Sequence, residues 1–204
     1  KKKLDAQVGL ALFAITLYST IFSTGWSLFS WHPTLMGIFL IAVNEGILTL
    51  QPTTTKAEKE SGLNYHRFIM PAGYFAAIGA FAAIYYNKST HGAAHFTSTH
   101  GKLGITTISY LLVQILFGAA TIYAPALFGG VNQAKALYKY HRLSGYLVFV
   151  LVWVTAQYGV HSDWAVAYYP FPTFTNGLWY LATGLVVIGV FSRVHLSKLG
   201  IRTI

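Results

Sequence analysis

The chain has no cysteine. That excludes disulfides, zinc–thiolate sites, iron–sulfur clusters and thioether attachment of a haem. It is also poor in charge. Only 9% of its 204 residues are Asp, Glu, Lys or Arg, where a soluble domain carries about a quarter. Charge is scarce because long stretches hold none, and 54% of the residues are hydrophobic. This is the pattern of a multi-spanning membrane protein. The net charge of +9 does not point to nucleic acid, because the basic residues cluster at the ends of apolar runs. The N-terminal run is too long for a signal peptide, and no small-residue cleavage site follows it. The leading lysine gives the expectation that the sequence starts inside a longer chain.

Six apolar runs can be drawn, at about 8–29, 31–50, 65–86, 101–123, 140–160 and 177–194. Most are near the ~20 residues that a helix needs to cross a bilayer. In lipid each run must satisfy its own backbone, so strands fall away. The expectation is an all-α integral membrane bundle of six helices, forming one domain over 1–204. The first two runs make a tight hairpin. The remaining loops are expected at 51–64, 87–99, 124–139 and 162–176.

Lysine and arginine set the orientation. Lys1, Lys2, Lys3, Lys56, Lys59, Arg67, Lys135, Lys139, Arg142, Arg193, Lys198 and Arg202 fall on one side, which is 12 of the 14. Lys88 and Lys102 fall on the other. The positive-inside rule then makes both termini cytoplasmic. The sequon Asn87-Lys88-Ser89 lies on the opposite side, close to a helix end.

Eight histidines are present, and four stand at the start of a span. His32 and His100 open spans that begin on the outer side. His66 and His141 open spans that begin on the inner side. Topology alone therefore sorts them into two pairs, each pair at one depth. A single histidine at a span end needs no ligand, since its ring can rest at the interface. Four at matched depths on four successive helices point to two low-spin b haems, each with two axial imidazoles and no covalent attachment. Gly104 and Gly145 stand four residues after His100 and His141, on the ligand face, and are expected to clear space for a flat ring. Gly37 and Gly73 are the poorer counterparts after His32 and His66. The tripeptide Tyr-His-Arg occurs at 65–67 and again at 140–142, so Arg67 and Arg142 could each meet a haem propionate.

A transition-metal site is the rival, since histidine also ligates metals. A metal transporter usually adds carboxylates near the midplane. Only Glu45 lies within a span. It could be a proton relay, a partner for Arg67 or Arg142, or an interfacial carboxylate without a role. His161 and His195 lie at the far ends of the last two spans and read as interfacial. The aromatic residues of the spans read as core or lipid-facing.

The runs "SLFSWHPTLM", "YHR", "HFTSTHGKLG" and "YHRLSGY", with histidine spacings of 34, 34 and 41, resemble the cytochrome b561 family. The forms "FSWHP" and "THGKLG", without a large extra domain, resemble its D2-type branch. The resemblance covers essentially the whole chain. It implies six helices with a four-helix di-haem core (helices 2–5), two non-covalent b haems and a homodimer. It implies His32 and His100 on the outer haem, with His66 and His141 on the inner haem. It also implies electron transfer from cytoplasmic ascorbate to monodehydroascorbate or ferric iron across the membrane.

Ascorbate is an anion, so an inner mouth bearing Lys59, Lys135, Lys139, Arg67 and Arg142 would concentrate it. The same residues also satisfy the positive-inside rule without any ligand. At the outer mouth His91, His95 and Lys102 are the candidate acceptor residues. His95 could protonate a reduced radical, or bind ferric iron with His91. Two further readings remain: a haem-b membrane subunit that exchanges electrons with a partner protein, and a non-redox metal transporter. The membrane is expected to be an endomembrane (endoplasmic reticulum, vacuole, lysosome or vesicle) or the plasma membrane.

Overall fold

The computed structural model describes residues 2–51 and 53–199, without side-chain placement for Lys2, Lys3, Leu196 and Lys198. Of the cations counted above, Lys1 and Arg202 lie outside the described residues, as do the side chains of Lys2, Lys3 and Lys198. All regular structure among the described residues is helical, with no strand among them. Helix α1 runs over Lys2–Ser23, α2 over Trp31–Leu48, α3 over Lys56–Thr90 and α4 over Thr99–Tyr123. After a 3-10 turn at Pro125–Phe128 come the short α5, Val131–Ala136, and the long α6, Tyr138–Val160. The one-turn α7, Asp163–Ala167, leads to α8, Pro172–Phe191, and a last 3-10 turn covers Leu196–Leu199.

Five helical segments are long and apolar enough to cross a membrane: Leu4–Ser23, Lys56–Thr90, Thr99–Tyr123, Val131–Val160 and Pro172–Phe191. Helix α2 is not among them. It has 18 residues, and His32, Pro33, Asn44 and Glu45 dilute its apolar content.

The boundaries depart from expectation most at α3. The segment 56–64, expected as loop, is the first two turns of this 35-residue helix. A capping box fixes the start: the Thr55 side chain accepts from the Glu58 backbone N–H, and the Glu58 carboxylate accepts from the Thr55 N–H. That pattern satisfies two orphan donors at once and outweighs the polar composition. At about 52 Å, α3 exceeds the ~30 Å hydrocarbon core. Its far end reaches Thr90, shortening the expected second loop. The expected loop 124–139 likewise holds the 3-10 turn, α5 and a reversal at Gly129 and Gly130, whose φ values of 84° and 113° suit glycine.

The helices associate as antiparallel couples: α1 with α8, α2 with α3, and α4 with α6. Small residues let backbones approach within the couples. A Cβ on Gly189 would fall 2.6 Å from the Ala6 nitrogen, and one on Gly73 would fall 2.7 Å from Ala42 Cβ. Gly73 is thus a helix-packing residue between α3 and α2, not clearance for a ring. Gly37 is similar, since a Cβ there would meet the Tyr18 hydroxyl of α1 at 2.7 Å. An aromatic knot fastens the α1–α8 couple to α6: Phe13 meets Trp153 edge-on at 5.1 Å and Trp179 at 4.8 Å. The α2–α3 and α4–α6 couples touch each other sparingly, which leaves room between them.

Candidate functional site

The room between those couples is bridged at both ends by histidines. Helices α2 and α4 start at one end of the bundle and place His32 opposite His100, with ring centroids 6.0 Å apart and planes at 83°. Helices α3 and α6 start at the other end and place His66 opposite His141, at 6.4 Å and 88°.

Three of the four rings are oriented by the neighbouring antiparallel helix. The Nδ1–H of His32 donates to the Ala80 carbonyl at 3.0 Å, that of His66 to the Gly46 carbonyl at 2.9 Å, and that of His100 to the Thr155 carbonyl at 3.0 Å. A carbonyl can only accept, so the proton sits on Nδ1 and Nε2 keeps its lone pair. His141 differs, because its Nδ1 is buried with no hydrogen-bond partner among the described residues.

Glycines seat two of the rings. A Cβ on Gly159 of α6 would fall 2.9 Å from His100 Cε1, and one on Gly118 of α4 would fall 2.7 Å from His141 Cε1. Sequence reasoning missed both. In an antiparallel couple the start of one helix is level with the end of its neighbour, so a small residue near the end of each partner span was the available signal. The glycines that were singled out behave differently from one another. Gly104 borders open space, and Gly145 stands against the Gln114 amide at 3.0 Å from its would-be Cβ.

A cavity of about 320 Å³ opens around His32 and His100, a size typical of cofactor pockets. Its walls are mainly apolar, with Phe13, Met36, Phe81 and Trp179 among them and Gly104 and Gly159 on the α4–α6 side. His95, Phe96 and Ser98 from the α3–α4 loop also line it, as does Trp164 of α7. His95 stacks on Tyr85 at 4.1 Å and 17°, and its Nε2 lies 3.3 Å from Ser89 Oγ. His91 is engaged elsewhere, its Nδ1–H donating to the Asn87 carbonyl at 2.7 Å. Lys102 is exposed. Lys88, used above only to set orientation, lines the cavity and donates from Nζ to the Ala94 carbonyl at 2.9 Å.

At the opposite end Arg67 and Arg142 are half-buried beside their histidines, while Lys59, Lys135 and Lys139 are exposed. The Arg67 guanidinium lies over the Phe68 ring at 5.1 Å, and Lys139 Nζ over the Tyr140 ring at 4.9 Å. Gln51 donates to the Tyr146 hydroxyl, tying the end of α2 to α6. His161 stacks on Tyr180 at 4.9 Å, and His195 is exposed. Among the described residues, no group of three or more His, Cys, Asp and Glu side chains is placed to hold a metal ion.

An apolar helical bundle with two facing imidazole pairs defines a class of membrane redox protein. The sequence profile of the family described as eukaryotic cytochrome b561 matches residues 31–166, and the chain belongs to that family. It is 28% identical to the protein named Transmembrane reductase CYB561D2 of Bos taurus, over 93% of this chain and 89% of that one. The Mus musculus protein of the same name is 29% identical over the same shares. A rice protein, Probable ascorbate-specific transmembrane electron transporter 1 of Oryza sativa subsp. japonica, is 29% identical over 65% of this chain and 56% of its own length. Family and relatives support a multi-pass membrane oxidoreductase that carries electrons across the membrane.

The family implies a b-type haem, and the residues present fit one. Two imidazoles that bind one iron through Nε2 at about 2 Å bring their ring centroids to about 6 Å, and the observed separations are 6.0 and 6.4 Å. The Nδ1–H bonds to carbonyls are the outer-shell contacts that fix a ligating imidazole.

Proposed function

We propose that this protein carries electrons from ascorbate on its basic, cytoplasmic side to monodehydroascorbate or ferric iron on the opposite side. The observation that supports this most is the pair of facing imidazoles at each end of the bundle. His32 and His100 would hold the outer haem, and His66 and His141 the inner one. Non-covalent haem b bound at each pair supplies a one-electron carrier. The chain's own residues supply the rest. Carbonyls of Ala80, Gly46 and Thr155 hold three imidazoles in the tautomer that ligates, and apolar walls exclude water.

Arg67 and Arg142, next to the inner ligands, take the haem propionates or the ascorbate anion. Lys59, Lys135 and Lys139 raise the local concentration of that anion through their field. On the outer side His95 is the proton donor to a reduced radical, with His91 and Lys102 as further acceptor residues. Lys88 joins them, because its ammonium borders the cavity.

In this reading α2 is the sixth span. Its 18 residues reach about 27 Å, near the ~30 Å of the hydrocarbon core. Residues 1–204 then form one transmembrane domain with a four-helix di-haem core, both termini cytoplasmic, paired as a homodimer in an endomembrane or the plasma membrane.

Haem content and sidedness test this together. Acid acetone should release all haem, and the pyridine haemochrome should give two per chain. In liposomes, ascorbate should reduce the protein only from the basic face. One haem per chain, haem left on the polypeptide, or reduction only from the opposite face would refute the proposal.

A further inference from the structure

Among the described residues, His141 is the one ligand candidate whose ring has no carbonyl anchor, so something else must place it. Gln114 of α4 stands in the apolar run "LLVQILF" and is 8% exposed. Its Nε2 donates to the His141 backbone carbonyl at 2.6 Å, and its Oε1 accepts from Ser144 Oγ at 2.8 Å. Ser144 Oγ also lies 3.2 Å from the same His141 carbonyl, so its one proton is shared between the two acceptors or given to the nearer amide oxygen. The amide reaches that carbonyl because Gly145 has no side chain; a Cβ there would fall 3.0 Å from Nε2. A primary amide inside a bilayer is costly unless its groups are used, and here both are.

The opposite site shows what this replaces. Thr155 gives its carbonyl to the His100 ring, and Gly159 follows four residues later to seat that ring. Gln114 stands four residues before Gly118, which seats His141 in the same way. At the corresponding position, then, a side chain grips the ligand's backbone where a backbone grips the ligand's ring.

We propose that Gln114 is the positioning residue of the His66–His141 site, holding the turn of α6 that presents His141, with Gly145 admitting its amide. This rests on reading that histidine pair as haem ligands. Contacts that orient a ligating imidazole through its ring typically contribute about tenfold to hundredfold in metal affinity, and a grip on the ligand's backbone acts on the same orientation.

The test uses the purified two-haem protein. Haem transfer to excess apomyoglobin gives a loss rate, and spectroelectrochemical titration gives the midpoint of each haem. His66→Ala identifies which spectrum belongs to this site. Gln114→Met should lose that haem about tenfold faster or more and move its midpoint, leaving the other haem unchanged. Gly145→Ala should act in the same direction and more weakly, because its Cβ would push the amide back by a few tenths of an ångström. Thr107→Val removes another α4–α6 contact, the 2.9 Å bond between the Thr107 and Thr155 hydroxyls, and should leave this haem alone. The proposal fails if Gln114→Met and Gly145→Ala both leave this haem's loss rate and midpoint at wild-type values. It fails equally if Thr107→Val disturbs this haem as much as Gln114→Met does. Wild-type protein with no haem at His66–His141 would overturn the ligand reading itself, and the proposal with it.

Discussion

Adding one methyl group to either ring-seating glycine should expel one haem and spare the other. In Gly118→Ala the new carbon would lie 2.7 Å from His141 Cε1 and 3.2 Å from Nε2. In Gly159→Ala it would lie 2.9 Å from His100 Cε1 and 3.2 Å from Nδ1. Carbon atoms in contact settle at about 3.5–4.0 Å, so each ring must retreat by roughly 0.6–0.8 Å or more. Overpacking on this scale costs about 1–3 kcal/mol, which corresponds to roughly fivefold to 150-fold weaker haem binding. Helix stability works the other way, because alanine within a helix is favoured over glycine by about 1 kcal/mol. The chain should therefore insert and fold normally while one site empties. Haem per chain from the pyridine haemochrome, with reduced-minus-oxidised spectra, reads the outcome. Gly118→Ala should leave only the haem that survives in His66→Ala protein. Gly159→Ala should leave only the haem that survives in His32→Ala protein. Loss of the same haem in both variants, or full occupancy in both, would refute the idea that these glycines seat ligating imidazoles.

Either His32→Ala or His100→Ala should remove the outer haem alone, and either His66→Ala or His141→Ala the inner one, as judged by haem content. Lys135→Ala combined with Lys139→Ala should slow reduction by ascorbate in stopped-flow absorbance with both haems retained. The wild-type rate should fall with added salt, because an exposed field is screened. His95→Ala should leave reduction by ascorbate intact and slow re-oxidation by acceptor, measured in the same apparatus. Tyr169 lies in the segment between α7 and α8, donates to the Val160 carbonyl and accepts from Trp179 Nε1 at 2.9 Å. Burial pushes its phenol up to about 12, above the ~10 of an unfolded tyrosine. Its contribution to stability is therefore complete below about pH 10 and is lost as pH rises toward 12. The thermal midpoint in detergent should fall across that window, and less steeply in Tyr169→Phe.

The pairing of histidines by depth could be read before any coordinates, because it needs only the charge asymmetry and the order of apolar runs. Which helix lies beside which could not. A run such as "QYGVHS" or "LFGAAT" carries a glycine without saying what fills the space next to it, and only the antiparallel couples put Gly159 against His100 and Gly118 against His141. The early start of α3 was legible in the Thr55–Glu58 capping box, yet polar composition argued for a loop and prevailed. Gly145 is the most instructive position. It stands four residues after His141 and is expected from sequence to clear space for a flat ring, but the space it leaves is used by Gln114. A lone glutamine in an apolar span is itself a signal, since an unsatisfied amide in hydrocarbon is not tolerated. Its partner, however, is a backbone carbonyl on another helix, and a sequence does not distinguish one carbonyl from the next. What resists sequence reading in this bundle is thus the set of contacts made to backbone: three imidazoles on carbonyls, one amide on a carbonyl, and two rings against bare Cα atoms. Those contacts depend on register between helices to within about one residue, a precision that apolar periodicity does not carry.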